Sequence, residues 1–318
     1  MITYFCRLVL IWMITSIGLA SPTPIDAQGD ADSCPPMPNI IAGELTEMTL
    51  QSGGITRSYY VYLPASYDAT VHVPLVLAFH GFAQGALGLA NYSGWEAIAE
   101  QNGFVLVYPQ GTGVLPRWES GLFAPQRQRV DDVAFVRDMI AHISQMLCID
   151  TTRVYANGLS NGGGMSYRLA CELSDHITAI GGVAGAYTDL PDGCQPNRPV
   201  PVIIFHGTAD TIVPYNGSDD GFFLLPSLED FVLSWAERNG CDLSAPEMMP
   251  QVGDVSMIRY TACDEDADVV FYTIHGGGHT WPGATITRLS DRFGGYVTQD
   301  ISASATMWAF FSQYTLGN

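Results

Sequence analysis

Gly158-Leu159-Ser160-Asn161-Gly162-Gly163-Gly164, preceded by the apolar run Val154-Tyr155-Ala156, is the stretch from which the rest of this sequence is read. A G-x-S-x-G set after a short strand and before a helix reads as a nucleophile elbow, a tight turn that holds a serine strained and exposed. Only residues without a side chain let the backbone turn that sharply while the next helix packs close to the strand. The pattern also recurs by chance in a chain with 33 glycines. It gains meaning only if the rest of the sequence supplies a base, an acid and donors for an oxyanion.

The first twenty residues hold one cation, Arg7, then an apolar run from Leu8 to Leu19 and the small residues before Ser21. That layout predicts a secretory signal peptide over 1–20, cut after Ala20 or alternatively after Ala27. Its apolar run is shorter than the roughly 18–20 residues of a membrane span, and nothing later is long enough. Residues 21–36 read as a flexible leader and 37–318 as one catalytic domain, with no internal repeat. The 318-residue chain carries 32 acids against 13 bases, all of them arginine, for a net charge of −19. Nucleic acid and anionic membrane, which need a basic patch, are therefore excluded as partners. Beyond Cys6 in the signal segment, six cysteines remain, an even number that predicts disulfides in an exported chain without fixing which pair. No C-x-x-C occurs, so a zinc ribbon has no support.

Taken in order, Glu44–Leu50 and Ser58–Leu63 alternate as early antiparallel strands. Val73–Phe79 and Phe104–Tyr108 are continuous apolar runs, as in strands buried on both faces of a parallel sheet. One helix is expected from about Ser93 to Gln101, stopped by Asn102-Gly103. Asp131-Asp132 open a second, with Val133, Val136, Ile140, Ile143 and Leu147 on one face, the acids capping its first turn. Strand Arg153–Ala156, the elbow, a helix over 161–173, strands Ile180–Val183 and Val200–Phe205, a helix from Ser227 with a capping box to Asp230, strand Val269–Ile274 and a helix over 302–314 complete the pattern. Alternating strands and helices predict a mostly parallel central sheet with helices on both faces. Ligands of such sheets sit at the carboxyl ends of the strands.

Three strands end in chemically loaded loops. Val200–Phe205 leads to His206-Gly207-Thr208-Ala209-Asp210, and Val269–Ile274 to His275-Gly276-Gly277-Gly278-His279. The order Ser160, Asp210, His279 is that of α/β-hydrolase triads. An imidazole with an ordinary pKa near 6.5 can take the serine proton at neutral pH, and a carboxylate fixes its tautomer. The backbone N–H of Asn161 and that of Phe82, after His80-Gly81, are the expected oxyanion donors. His275 and His279 have the spacing of a zinc helix, but three glycines between them forbid the helix, so no metal is expected. His80 and His206 read as hydrogen-bonded structural histidines, and Asp189 and Asp192 are the rivals of Asp210 for the acid.

The sequence resembles the secreted esterase family that groups polyhydroxybutyrate depolymerase-like enzymes and feruloyl esterases. The carrying segments are Arg57–Pro64, His80-Gly81, Val130-Asp131-Asp132-Val133, Arg153–Gly163, His206–Tyr215 and Gly277–Gly283. The resemblance implies an α/β-hydrolase fold, a carboxylic-ester substrate, no cofactor and Ser160, Asp210 and His279 as triad. It also implies the pairs Cys241–Cys263 and Cys171–Cys194, with Cys34–Cys148 left over. Gly164 departs from the family's more usual methionine.

Trp281, two residues past His279, and Trp118, in the loop after the Phe104–Tyr108 strand, are the candidate aromatic rim over the acyl group. With the chain closing soon after its last helix, soluble or short esters are expected: feruloylated oligosaccharides or hydroxyalkanoate oligomers rather than crystalline polyester. The expected enzyme is secreted and monomeric. Action on polymeric polyhydroxybutyrate is the alternative. A catalytically silent hydrolase fold used for binding would lack a triad member, and none is missing.

Overall fold

The structure, a computed structural model, describes residues 34–35, 40–122, 130–190, 193–219, 224–285 and 294–317. The signal peptide expected over 1–20 and all but two residues of the expected leader lie outside them. Cys34–Asn318 clusters as one unit.

Its centre is a ten-stranded sheet in the order β1-β2-β4-β3-β5-β6-β7-β10-β9-β8. The strands are β1 (Leu45–Ser52), β2 (Ile55–Tyr62), β3 (Val73–Phe79), β4 (Val105–Pro109), β5 (Ile149–Leu159), β6 (Ala179–Val183), β7 (Val202–Gly207), β8 (Glu247–Val252), β9 (Val255–Tyr260) and β10 (Val269–Ile274). From β4 through β10 neighbouring strands run parallel, and antiparallel hairpins close both edges. The β1–β2 turn is Gly53-Gly54 at φ +58° and +80°, the two-residue positive-φ loop whose twist matches its strands.

Helices α1 (Ala86–Ser93), α2 (Trp95–Asn102), α3 (Asp132–Ser144), α4 (Asn161–Glu172), α5 (Leu228–Arg238) and α6 (Ala303–Phe311) cover both faces. Every residue of β3 is buried. Leu75, Leu77 and Phe79 join the core beneath α3, α4 and α5, whereas Val76 and Ala78 join that beneath α1, α2 and α6. A continuous apolar run is thus the signature of a strand with helices above and below. Asp131 caps α3 by accepting from Ala134 N at 2.9 Å, and Ser227 caps α5 by accepting from Asp230 N at 3.1 Å, as the capping patterns predict.

Two elements differ from the sequence expectation. The helix placed at 93–101 is α2, and a further helix, α1, precedes it and ends where Gly94 turns into the left-handed region at φ +72°. The hairpin β8–β9 was absent from the reading because Pro250 interrupts it and β8 lies exposed at the sheet edge, where proline is tolerated. Disulfides join Cys34–Cys148, Cys171–Cys194 and Cys241–Cys263, at sequence separations of 114, 23 and 22.

Asp132 corrects a further expectation. Rather than only favouring the helix dipole, it is fully buried and pairs with the buried guanidinium of Arg57 on β2 at 2.7 Å. Its other oxygen accepts from Glu119 N at 2.8 Å, and the Arg57 guanidinium lies 3.8 Å over the ring of Phe135. Burial raises the Asp132 carboxyl above its ordinary pKa even though Arg57 opposes the shift. Removing one member leaves an uncompensated buried charge, a loss of about 3–5 kcal/mol. Urea unfolding of Arg57→Met is expected to report a loss of that size, and the double variant Arg57→Met/Asp132→Leu to recover most of it. An undiminished unfolding free energy in the single variant would contradict the assignment.

Candidate active site

Ser160 sits between the last residue of β5 and the first of α4, at φ +56° and ψ −119°. A non-glycine residue there stores roughly 1–3 kcal/mol of strain, and its backbone is held on every side. Its N–H donates to Val183 O at 2.9 Å, and its carbonyl accepts from Gly164 N and Ala186 N, both at 3.0 Å. The flanking glycines answer to close approach. A Cβ at Gly158 would lie 2.5 Å from Gly162 backbone, and one at Gly162 would lie 2.1 Å from Phe79 O. At Gly164 it would meet Ala186 O at 2.4 Å. The family's more usual methionine has no room there, and Gly164 does not line the cavity described below.

The loop after β3 stands beside this turn, with Ser160 Cβ 3.5 Å from where a Cβ of Gly81 would be. His80 is fully buried. Its Nε2 accepts from Gly111 N at 2.9 Å, so the hydrogen is on Nδ1, which donates to Gly81 O at 2.7 Å. The structural reading of His80 agrees with this network. Trp118, expected at the rim, is instead a core residue with no exposed surface. Its Nε1 donates to His80 O at 2.9 Å, and its ring packs edge-on against Phe79 at 5.2 Å. The Asn161 side chain grips the same loop, accepting from Trp118 N at 2.8 Å and donating to Trp118 O at 3.1 Å and Ser120 Oγ at 2.8 Å. Trp118 therefore ties the loop of Phe82 to the first residue of α4 and does not line the cavity described below.

Beyond β7, the Asp210 side chain is fully buried. Its Oδ1 accepts from Ile212 N at 2.8 Å and Val213 N at 2.9 Å. Its Oδ2 lies 2.8 Å from His279 Nδ1 and 3.3 Å from His206 Nε2. Burial pushes this carboxyl up, but the hydrogen bonds and charge of His206 and His279 outweigh it and hold the group well below the usual carboxylate range. His206 Nε2 also faces Val213 O at 2.9 Å, so both its neighbours are acceptors and it must carry the hydrogen. Asp189 makes no hydrogen bond to a histidine among the described residues, and Asp192 lies outside them. His275 turns away, with Nε2 2.8 Å from Ser256 Oγ.

Ser160 and His279 line one cavity of about 570 Å³, within the range of small-molecule sites. Ser160 Oγ and His279 Nε2 are not hydrogen-bonded to each other among the described residues, a contact that commonly tightens only around substrate. Phe82, 43% exposed, and Ile212, 52% exposed, stand at this cavity. Trp281 forms part of its wall, buried and fixed through Nε1 to Ser304 Oγ at 3.1 Å. Sequence reasoning missed Gln84, Gly88 and Tyr92, which also line it. Gly88 and Tyr92, four apart, share one face of α1, and Gln84 stands in the turn before the cap Gly85; no helix was expected before Ser93.

A family model described as esterase PHB depolymerase matches residues 57–189. The putative esterase NocK of Nocardia uniformis subsp. tsuyamanensis is 31% identical over 254 residues, 73% of this chain and 72% of that protein. Feruloyl esterase D of Neurospora crassa is 26% identical over 309 residues, covering 93% and 94% of the two chains. Feruloyl esterase B of Piromyces equi is 30% identical over 232 residues, 70% of this chain but only 42% of that protein. Among solved structures, an acetyl xylan esterase from Aspergillus awamori superposes with a TM-score of 0.55 at 17% identity, covering 79% of this chain and 97% of its own. That likeness is one of fold, and the expected α/β-hydrolase architecture is the one observed.

The electrostatics of the site give a pH dependence. Burial pushes the His80 imidazole down to about 4, whereas in the unfolded chain it titrates near 6.5. Between these values the unfolded state binds the proton and the native state does not. This contribution to stability is therefore complete above about pH 6.5 and lost as pH falls towards 4, by up to about 3 kcal/mol. The Asp210 carboxyl titrates below that window. Denaturant unfolding at pH 7, 5.5 and 4.5 is expected to show the decline, and His80→Gln, which keeps an acceptor for Gly111 N–H, to flatten it. An unchanged slope in that variant would assign the acid sensitivity to other groups.

Proposed function

We propose, for a chain that belongs to the esterase PHB depolymerase family and is a carboxylic ester hydrolase, that Ser160 is the nucleophile, His279 the general base and acid, and Asp210 its orienting carboxylate. One observation carries the reading. The strained serine and the histidine bonded to a buried aspartate open onto the same cavity.

In the acylation half, Ser160 Oγ attacks the ester carbonyl carbon while His279 Nε2 takes its proton. The carbonyl π pair moves onto oxygen, where the N–H groups of Phe82 and Asn161 receive the charge. Asn161 is the first residue of α4, whose N–H has no acceptor within the helix. Collapse of the tetrahedral intermediate breaks the bond to the alcohol oxygen, which leaves with the proton from His279. Water then repeats the sequence on the acyl-enzyme, with His279 again as base, and frees the acid and Ser160. Throughout, His279 Nδ1–H stays on Asp210 Oδ2, and the ionised aspartate stabilises the imidazolium.

The substrate is a feruloyl-type ester of a small molecule or oligosaccharide, or a short hydroxyalkanoate ester. An apolar-walled cavity and the names of the Neurospora and Piromyces relatives support this reading. The family model's description keeps polymeric polyester as the second reading. Three disulfides support a site of action outside the cell, since such bonds persist in oxidising compartments. No helix among the described residues is long and apolar enough to cross a membrane.

Ser160→Ala is expected to lower ester turnover by at least about a thousandfold with the thermal unfolding midpoint retained. Full activity in that variant would end the serine mechanism. With the intact enzyme, ferulate release from methyl ferulate is expected. Clearing of a polyhydroxybutyrate suspension without ferulate release would transfer the assignment to polyester.

A further inference from the structure

The cavity beside Ser160 is walled largely by apolar groups, among them Phe82, Leu159, Trp281, Ala284 and Val297. Against that wall stands a hydrogen-bonded pair, Gln84 and Tyr92. The orientation of the pair follows from its neighbours. Gly81 N–H can only donate, so the Gln84 atom that it meets at 3.1 Å is Oε1. The Gln84 NH₂ group must then face Tyr92, and it donates to the phenol oxygen at 2.7 Å. Tyr92 has thereby used its oxygen as an acceptor, and its own hydrogen has no acceptor among the described residues. Burial raises the phenol well above its ordinary pKa, so the group remains a donor at any working pH.

A donor with no acceptor among the described residues, facing a cavity with apolar walls, selects a ligand that brings an acceptor to that point and apolar surface elsewhere. The alcohol side of a saccharide ester does not match, because its hydroxyls would be distributed along the apolar wall. A flat aryl acyl group carrying ring oxygens at the end remote from its carbonyl does match.

We propose that Tyr92 is a specificity-determining residue that donates a hydrogen bond to a ring oxygen, hydroxyl or methoxyl, of a hydroxycinnamoyl-type acyl group. The assignment rests on Ser160 as acyl acceptor and goes beyond it by naming what the acyl group must carry. Gln84 joins this donor to Gly81 N–H, next to Phe82, so the same pair also braces the loop expected to hold the oxyanion. The two roles separate by their dependence on substrate. Recognition acts only on esters that carry the ring oxygen, whereas a brace acts on all esters alike.

The test is kcat/KM for methyl ferulate, methyl 3,4-dimethoxycinnamate and methyl cinnamate, measured on single preparations of the intact enzyme and of Tyr92→Phe. The ratio of each oxygenated ester to methyl cinnamate is expected to exceed one in the intact enzyme. It should fall roughly tenfold in the variant, mainly through KM, as for loss of one hydrogen bond. Ratios within one preparation do not depend on the fraction of folded enzyme. Equal proportional losses on all three esters would overturn recognition and leave only the brace. An intact enzyme indifferent to the ring oxygens would overturn it as well. If p-nitrophenyl acetate is still hydrolysed in a Ser160-dependent way in that case, the serine esterase reading stands while this one fails. Absence of Ser160-dependent turnover of every ester would end both.

Discussion

The contact on which the rest depends is the crossing of α4 over the end of β3. Gly162 comes so close to Phe79 that a Cβ would lie 2.1 Å from its carbonyl oxygen. Because β3 and β5 are neighbours in the sheet, this crossing sets the ends of both strands side by side. One end turns into Ser160 and the other into His80-Gly81-Phe82. A side chain at Gly158 or Gly162 would lift the helix and separate the two loops. Strain at Ser160 is the consequence, and three backbone hydrogen bonds hold the residue there, two with the end of β6 and the loop after it and one from the helix itself.

Around that crossing the protein builds a buried polar frame. Asn161, Trp118, His80 and Gly111 are linked in series by hydrogen bonds, and Arg57, Asp132 and Glu119 extend the frame to β2 and α3. The Arg168 guanidinium on α4 donates to Glu119 O and closes it. Of these side chains only Arg57 Nε is buried without a partner among the described residues, and the network fixes residues 110–120, a segment with little regular structure of its own. This segment is thus held by hydrogen bonds to groups that, in sequence, sit 13 to 49 residues away.

That distance explains what sequence could and could not disclose. The parallel strands were legible because burial on both faces leaves a continuous apolar run in Val73–Phe79 and its counterparts. Ser160, Asp210 and His279 were legible because each lies a few residues past such a strand. Trp118 was misjudged for a physical reason: an indole in a loop looks like a rim residue until its partner, His80 O, is known. Asp132 looked like a helix cap because Arg57, 75 residues earlier, is invisible to local pattern. The β8–β9 hairpin carried no alternation strong enough to read, with most of β8 exposed. The break between α1 and α2 hid the helical face that bears Gly88 and Tyr92, and with it the polar end of the cavity.

The proposed acid shows how the same logic reaches the chemistry. Asp210 accepts four hydrogen bonds, two from backbone and two from imidazoles, so its carboxylate has neither a free rotamer nor an open acceptor site for water. His206 occupies the side of Oδ2 that His279 leaves vacant, and its ring abuts Tyr215 at 6.2 Å. It stands in register with Thr273 of β10, whose hydroxyl lies 3.2 Å from that of Tyr215. The orientation of His279 is therefore inherited from β7 and β10 through Asp210, just as that of Ser160 is inherited from β5 and β3 through two glycines. His279 and Ser160 reach the cavity from separate pairs of parallel strands, and the sheet between them sets their spacing without a direct bond.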